Sequence, residues 1–248
     1  MIVHASPLNP AEFFGACGFF ELAASQRAEL VAHWGDEGLE IVDYSEADAN
    51  ALIQGLADAT LTPDSAWAGD ESTRPFSLSN ADHGLDISMD WWERRDGSGN
   101  TPWKCFGGRQ KSTDSASLLH ACRSLIDKYP SLASECLRAA IPLSGRLGFD
   151  PRSAWLSLDT GFSPNDLGKK YSVIPTFPFA ELLTAVVAQR WPIRFQRGQG
   201  QFFTWDRPLP LPVARVVAAS DGSPYSFGRI KRGQGISAFT FSRPGAAF

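Results

Sequence analysis

A seven-residue pattern suited to gripping an anion occurs twice near the C-terminal end of this chain. Residues 194–200 read Arg-Phe-Gln-Arg-Gly-Gln-Gly, and residues 229–235 read Arg-Ile-Lys-Arg-Gly-Gln-Gly. Both continue into aromatic residues: Phe202, Phe203 and Trp205 after the first, Phe239 and Phe241 after the second. Arginine presents a planar fork of donors that matches phosphate. Glycine admits backbone angles that other residues avoid and lets another backbone come close. The alternating run before each glycine predicts a strand. Each copy therefore reads as a strand, a bare Gly-Gln-Gly turn and two arginines able to hold a phosphate chain. The ordinary reading of either copy alone is a hairpin turn with solvated charges. The repetition, and the charge around it, favour function.

That charge is unevenly distributed. The 248-residue chain has a net charge of −4. Residues 1–90 hold only Arg27 and Arg74 against 16 acidic residues, a net of −14, whereas residues 91–248 hold 21 basic and 11 acidic residues, a net of +10. From Leu167 onward, 11 basic residues face 3 acidic ones. A basic half favours nucleic acid through neutralisation of phosphates. The split implies either one domain or two intimately packed lobes, an acidic one over about 1–90 and a basic one over about 91–248. A polarised but idle surface is the plainer alternative.

Other chemistry is poorly represented. His4, His33, His83 and His120 are dispersed, with no H-x-x-x-H or H-E-x-x-H, so no metal is expected. Two histidines meeting in space would still make a ribonuclease centre. No G-x-S-x-G is present, and no cofactor motif. Gly107-Gly108-Arg109-Gln110-Lys111-Ser112 resembles a P-loop loosely but lacks its spacing; ahead of a helix, Arg109 and Lys111 suit a nucleic-acid phosphate. Asp86, Asp90 and Glu93 read as a solvated strand face. Cys17, Cys105, Cys122 and Cys136 form no C-x-x-C and suit a reducing cytoplasm. The N-terminus lacks the pattern of a secretory signal. No apolar run approaches the roughly 20 residues of a membrane span, and no membrane partner is expected.

The elements that must position these residues follow from capping and periodicity. Asn9-Pro10-Ala11-Glu12 is a helix start: Asn caps, Pro takes the first position and Glu reaches back. The helix is expected to run toward Trp34, apolar nearly all round in its first half, with Gly15 and Gly18 allowing close packing. Strands are expected at Met1–Ala5, Leu39–Val42 and Leu85–Trp91, the last returning as a hairpin through Trp103–Phe106. Helices are expected at 46–59, about 113–128, 131–140 and 178–190, with strand or loop over 149–158. Pro208-Leu209-Pro210-Leu211-Pro212 reads as a stiff connection. Irregular interleaving of these elements indicates α+β, with a mixed or antiparallel sheet, packed helices and a ferredoxin-like part.

Several segments together resemble a family from type I-U (I-G) CRISPR loci. Asn9-Pro10-Ala11-Glu12-Phe13-Phe14-Gly15-Ala16-Cys17-Gly18 resembles its N-P-G-x-F-F-x-x-C-G opening, departing at Ala11. Asp90-Trp91-Trp92 with Trp103-Lys104, Trp155 to Asn165, Glu181 to Pro192, Pro208–Arg215 and Gly228–Gly235 resemble further elements in the same order. The resemblance implies a non-enzymatic subunit of a crRNA-guided Cascade-type surveillance complex in antiviral defence. Such a subunit would be large-subunit-like or similar to the repeat-associated proteins that hold crRNA with a glycine-rich loop. It implies contact with crRNA and target DNA, with the backbone and crRNA-processing subunits, and with the helicase-nuclease. On this reading Arg190, Arg194, Arg197, Arg229, Lys231 and Arg232, with Gly233 and Gly235, contact nucleic acid; Lys169, Lys170, Arg109 and Lys111 are second choices. A crRNA-processing endoribonuclease and a purely structural protein-binding subunit are the rival readings.

Overall fold

Helix α1, Pro10–Gln26, starts where its capping residues place it. Asn9 keeps an extended backbone and its Oδ1 accepts from the Ala11 N–H at 3.0 Å, while Pro10 opens the first turn. Glu12 reaches further back than a capping box: its Oε2 accepts from the Ser6 N–H at 2.8 Å. In this computed structural model, the structure describes residues 1–66, 74–89, 112–143, 147–153, 174–196, 199–232 and 235–245.

Every residue of α1 from Pro10 to Ala24 is buried, as its all-round apolar character indicates. Phe13 stacks on Phe202 at 3.9 Å and on Trp34 at 4.9 Å, and Phe14 meets Phe227 edge-on. The other side packs on α4, Pro178–Arg190. There a β-carbon at Gly18 would stand 2.2 Å from the Leu183 carbonyl oxygen, so only glycine permits this approach. A β-carbon at Gly15 would stand 2.7 Å from the methyl end of the Leu137 side chain, a contact that side chain can yield to. The remainder of the described core gathers on these two helices.

The expected continuation of α1 toward Trp34 does not occur. After Gln26 a turn leads into strand β2, Val31–Trp34, in which burial alternates. A strand sets Ala32 and Trp34 on one face, toward the aromatic cluster. With β1, Ile2–His4, and β3, Gly38–Ile41, it forms a split βαβ unit in which β3 pairs with both neighbours. This is half of a ferredoxin-like arrangement. The chain then departs through α2, Glu46–Ala57, whose Leu52, Ile53 and Leu56 are buried. It enters a separate sheet of β4, Thr60–Pro63, β5, Phe76–Asn80, and β6, Leu85–Met89. The return strand expected at 103–106 lies outside the described residues.

Helix α3, Ser112–Lys128, buries Leu118, Leu119, Leu125 and Ile126. The helix expected at 131–140 is a short 3-10 segment, Ala133–Arg138, and the described start of 149–158 holds another, Pro151–Ser153, rather than a strand. Strand β7, Ile141–Leu143, pairs with β8, Ile174–Thr176. After α4 come β9, Arg194–Gln196, and β10, Gln199–Thr204. The proline run is partly strand and partly helix. Leu209–Pro210 form β11 at the sheet edge beside β2, where a missing N–H is tolerated, and Leu211–Ser220 form α5 with Pro212 in its first turn. Strands β12, Ser223–Phe227, β13, Arg229–Arg232, β14, Gly235–Phe239, and β15, Arg243–Pro244, complete the order. All described strand pairs are antiparallel, and the fold is α+β. No helix among the described residues is long and apolar enough to cross a membrane.

Candidate nucleic-acid interface

Both glycine-rich copies fold as antiparallel hairpins, but at different registers. In the first, Arg194 pairs with Gln201, Phe195 with Gly200 and Gln196 with Gln199, which leaves Arg197 and Gly198 between the paired positions. In the second, Arg232 pairs with Gly235, which leaves Gly233 and Gln234 between them. The pairing has moved one residue along the same motif. Since strand faces alternate with period two, matched residues of the copies hold different places in their ladders.

Sheet context differs as well. Strand β10 also pairs with β12 over five positions, and β15 extends the sheet to an order of β15-β12-β10-β9. A β-carbon at Gly200 would lie 2.3 Å from Phe227 Cζ and 2.9 Å from Phe195 Cε1, so this glycine is needed for packing. The second hairpin is a two-stranded ribbon of β13 and β14, with its register broken between Ile230 and Lys231.

Arg190, at the end of α4, has an unexpected tether. Its Nη1 donates to Oε1 of Glu21 at 3.1 Å. Glu21 lies on α1 and is 1% exposed. The same carboxylate accepts from Trp191 Nε1 at 3.0 Å and from Arg215 Nε at 2.9 Å, and Arg215 Nη2 donates to it too. Two guanidiniums thus share one buried carboxylate, and each arginine side chain keeps about a third of its surface exposed, 33% for Arg190 and 32% for Arg215. One positive charge is left over, with unused donors near the surface. Arg215 was not singled out from sequence as a contact; its one signal is the Pro208–Arg215 segment that the resemblance covers. Arg207 and Arg243, also not singled out, are exposed and have no ion-pair partner among the described residues.

A second buried network uses arginine differently. Arg152 donates to both oxygens of Asp150, to Glu12 Oε1 at 2.6 Å and to the Leu137 carbonyl, with its guanidinium 3.5 Å from the centre of the Phe177 ring. Glu181, fully buried, accepts from the N–H groups of Phe149 and Asp150. These carboxylates tie α1, α4 and the Phe149–Ser153 segment together.

The histidines stay apart. His4 lies 3.7 Å from Glu135 and His33 lies 3.4 Å from Glu40; His83 packs over Gly55. No hydrogen bond joins two histidines, and no group suited to hold a metal ion forms, among the described residues. Burial, aided by the charge of Glu21, pushes the Cys17 thiol well up; burial raises Cys122 likewise and Cys136 to about 12. These thiols stay protonated and serve as small core residues. Arg109, Lys111, Lys169, Lys170, Arg197 and Gly233 lie outside the described residues. Arg194, Arg229, Lys231, Arg232 and Gly235 are placed by their strands alone. Compared with protein-family models, with curated proteins and with solved structures, the chain gives no match.

Proposed function

We propose that this chain is a non-catalytic, nucleic-acid-contacting subunit of a crRNA-guided type I CRISPR complex. The observation that carries the contact is the Arg190–Arg215 pair on Glu21, a preset pair of guanidiniums with one charge in excess, of which Arg190 stands four residues before a glycine-rich basic hairpin. Preset guanidinium forks suit phosphate oxygens. The ribbon of β13 and β14 adds Arg229, Lys231 and Arg232 on one short strand. The assignment to a CRISPR complex rests on the resemblance of the segments from Asn9 to Gly235. On that reading crRNA and target DNA are the ligands, and the backbone subunits, the crRNA-processing subunit and the helicase-nuclease are the protein partners.

The test is binding of labelled repeat RNA and of single-stranded DNA across about 50 to 200 mM salt. Affinity is expected to fall steeply, and each arginine removed at 190, 215, 229 or 232 lessens the slope by about 0.7 to 1. A flat salt curve overturns the proposal. RNA recovered cleaved, with cleavage lost in a His→Ala variant, replaces it with the processing nuclease.

A further inference from the structure

The C-terminal strands carry an aromatic side chain that the core does not use. Phe241 is 54% exposed, whereas Phe202, Phe227 and Phe239 are buried in the aromatic cluster. It stands where the ribbon of β13 and β14 leaves the sheet. Just before it, Thr240 closes the root of the ribbon on Gly228: its N–H donates to the Gly228 carbonyl at 3.0 Å, and its Oγ1 accepts from the Gly228 N–H at 2.8 Å. Just after it, the Ser242 N–H donates to the Leu8 carbonyl at 2.7 Å. The backbone is thus held on both sides of an outward ring, which lowers the ordering cost of any contact the ring makes.

Exposure alternates here. Ser242 is 5% exposed, and Arg243 beyond it is exposed like Phe241. Phe241 and Arg243 therefore share the outward side. Arg243 pairs with Ser226 and Ser226 with Gln201, whereas the neighbouring Phe202 and Phe227 turn toward Phe13 and Phe14. Arg243 thus lies on the sheet face away from α1. Gln201 is buried, so the open part of this row is its β15 edge.

The strands around the ring carry charge of one sign. Strands β9, β10, β12 and β15 contain Arg194 and Arg243 and no acidic residue. Strand β13 adds Arg229, Lys231 and Arg232, and β14 adds no charge. Arg243 has no ion-pair partner among the described residues.

We infer that Phe241 is a stacking platform for an unpaired base, with Arg243 on the adjoining phosphate. An exposed ring beside unpaired cations suits a ligand that alternates flat apolar bases with anions. A base inside a duplex has both faces covered and offers none to the ring, so the ligand at this point is single-stranded. Every base has such a face, so the platform is indifferent to sequence. The inference rests on the nucleic-acid contact proposed above and adds the form of the ligand and the ring that meets it.

The probes are hexathymidylate and a hexamer of abasic deoxyribose phosphates, which carries the same phosphates without bases. Each is titrated into the full-length protein across about 50 to 200 mM salt. The wild-type chain should hold hexathymidylate about fivefold more tightly than the abasic hexamer; Phe241→Ala should erase that preference and Phe241→Trp restore it. Arg243→Ala should weaken both hexamers alike and lessen the salt slope by about 0.7, whereas Phe241→Ala leaves the slope unchanged. All three changes are at exposed positions. If both hexamers bind with steep salt dependence and the preference is absent or survives Phe241→Ala, this inference fails and the nucleic-acid contact stands. If neither hexamer binds, both fail. Binding of a capped oligoglutamate peptide that Phe241→Ala abolishes, or a dimer in sedimentation that it dissolves, assigns the ring to a protein contact and overturns the inference.

Discussion

The two glycine-rich hairpins begin from nearly the same seven residues and are put to different use. The first is built into a four-stranded sheet, and its Gly200 lies under the rings of Phe195 and Phe227. The second is a ribbon whose pairing starts one residue later along the motif. A local motif specifies that a hairpin forms; the core it must join specifies the register. Strand β10 carries Phe202 into the aromatic cluster, so its position is fixed from that end. The ribbon belongs to no larger sheet among the described residues.

Four experiments can break or sharpen that contrast. The largest effect is expected from Gly200→Val, whose β-carbon would meet Phe227. It should cost about 3 kcal/mol in urea denaturation, against about 1 kcal/mol or less for Gly235→Val. Equal losses would remove the distinction. Next, Glu21→Gln withdraws the charge that anchors the approach to the first hairpin. A loss of about 2 kcal/mol is expected by the same measurement, because two guanidiniums lose their counterion. In hydrogen exchange, amides of β13 and β14 should open at least about tenfold faster than those of β10 and β12, since a lone ribbon is marginally stable. Smallest is the stability cost of Arg232→Ala, below about 0.5 kcal/mol, though the same change should weaken RNA binding several-fold.

What could be read in advance was what short stretches determine. The start of α1 and its burial on all sides follow from residues within one helix, and the glycine at 18 marks a close approach whose partner, Leu183, lies elsewhere. The inward faces of α2 and α3 likewise follow from their own residues. The end of α1 did not show, because Val31-Ala32-His33-Trp34 is only four residues long and its alternation is resolved by pairing with β3. Helix α5 was hidden by its prolines: Pro210 caps it and Pro212 lies in its first turn, both places where proline is compatible with a helix. The tether at Glu21 was beyond reach for another reason. Its partners lie 169 to 194 residues away, and no local pattern pairs a carboxylate on a Phe-rich helix with them.

Glu21 carries a last consequence. Two arginines and an indole converge on one carboxylate, one more cation than its charge requires. If Arg190 swings out to a phosphate, Arg215 still neutralises Glu21 and Trp191 still occupies its second oxygen. The interior is left with no bare charge. Arg190 is therefore detachable at little cost to the fold, whereas Arg152, held by Asp150, Glu12 and a backbone carbonyl, is not. The redundancy lets the interior stay neutral with either one of the two guanidiniums in place.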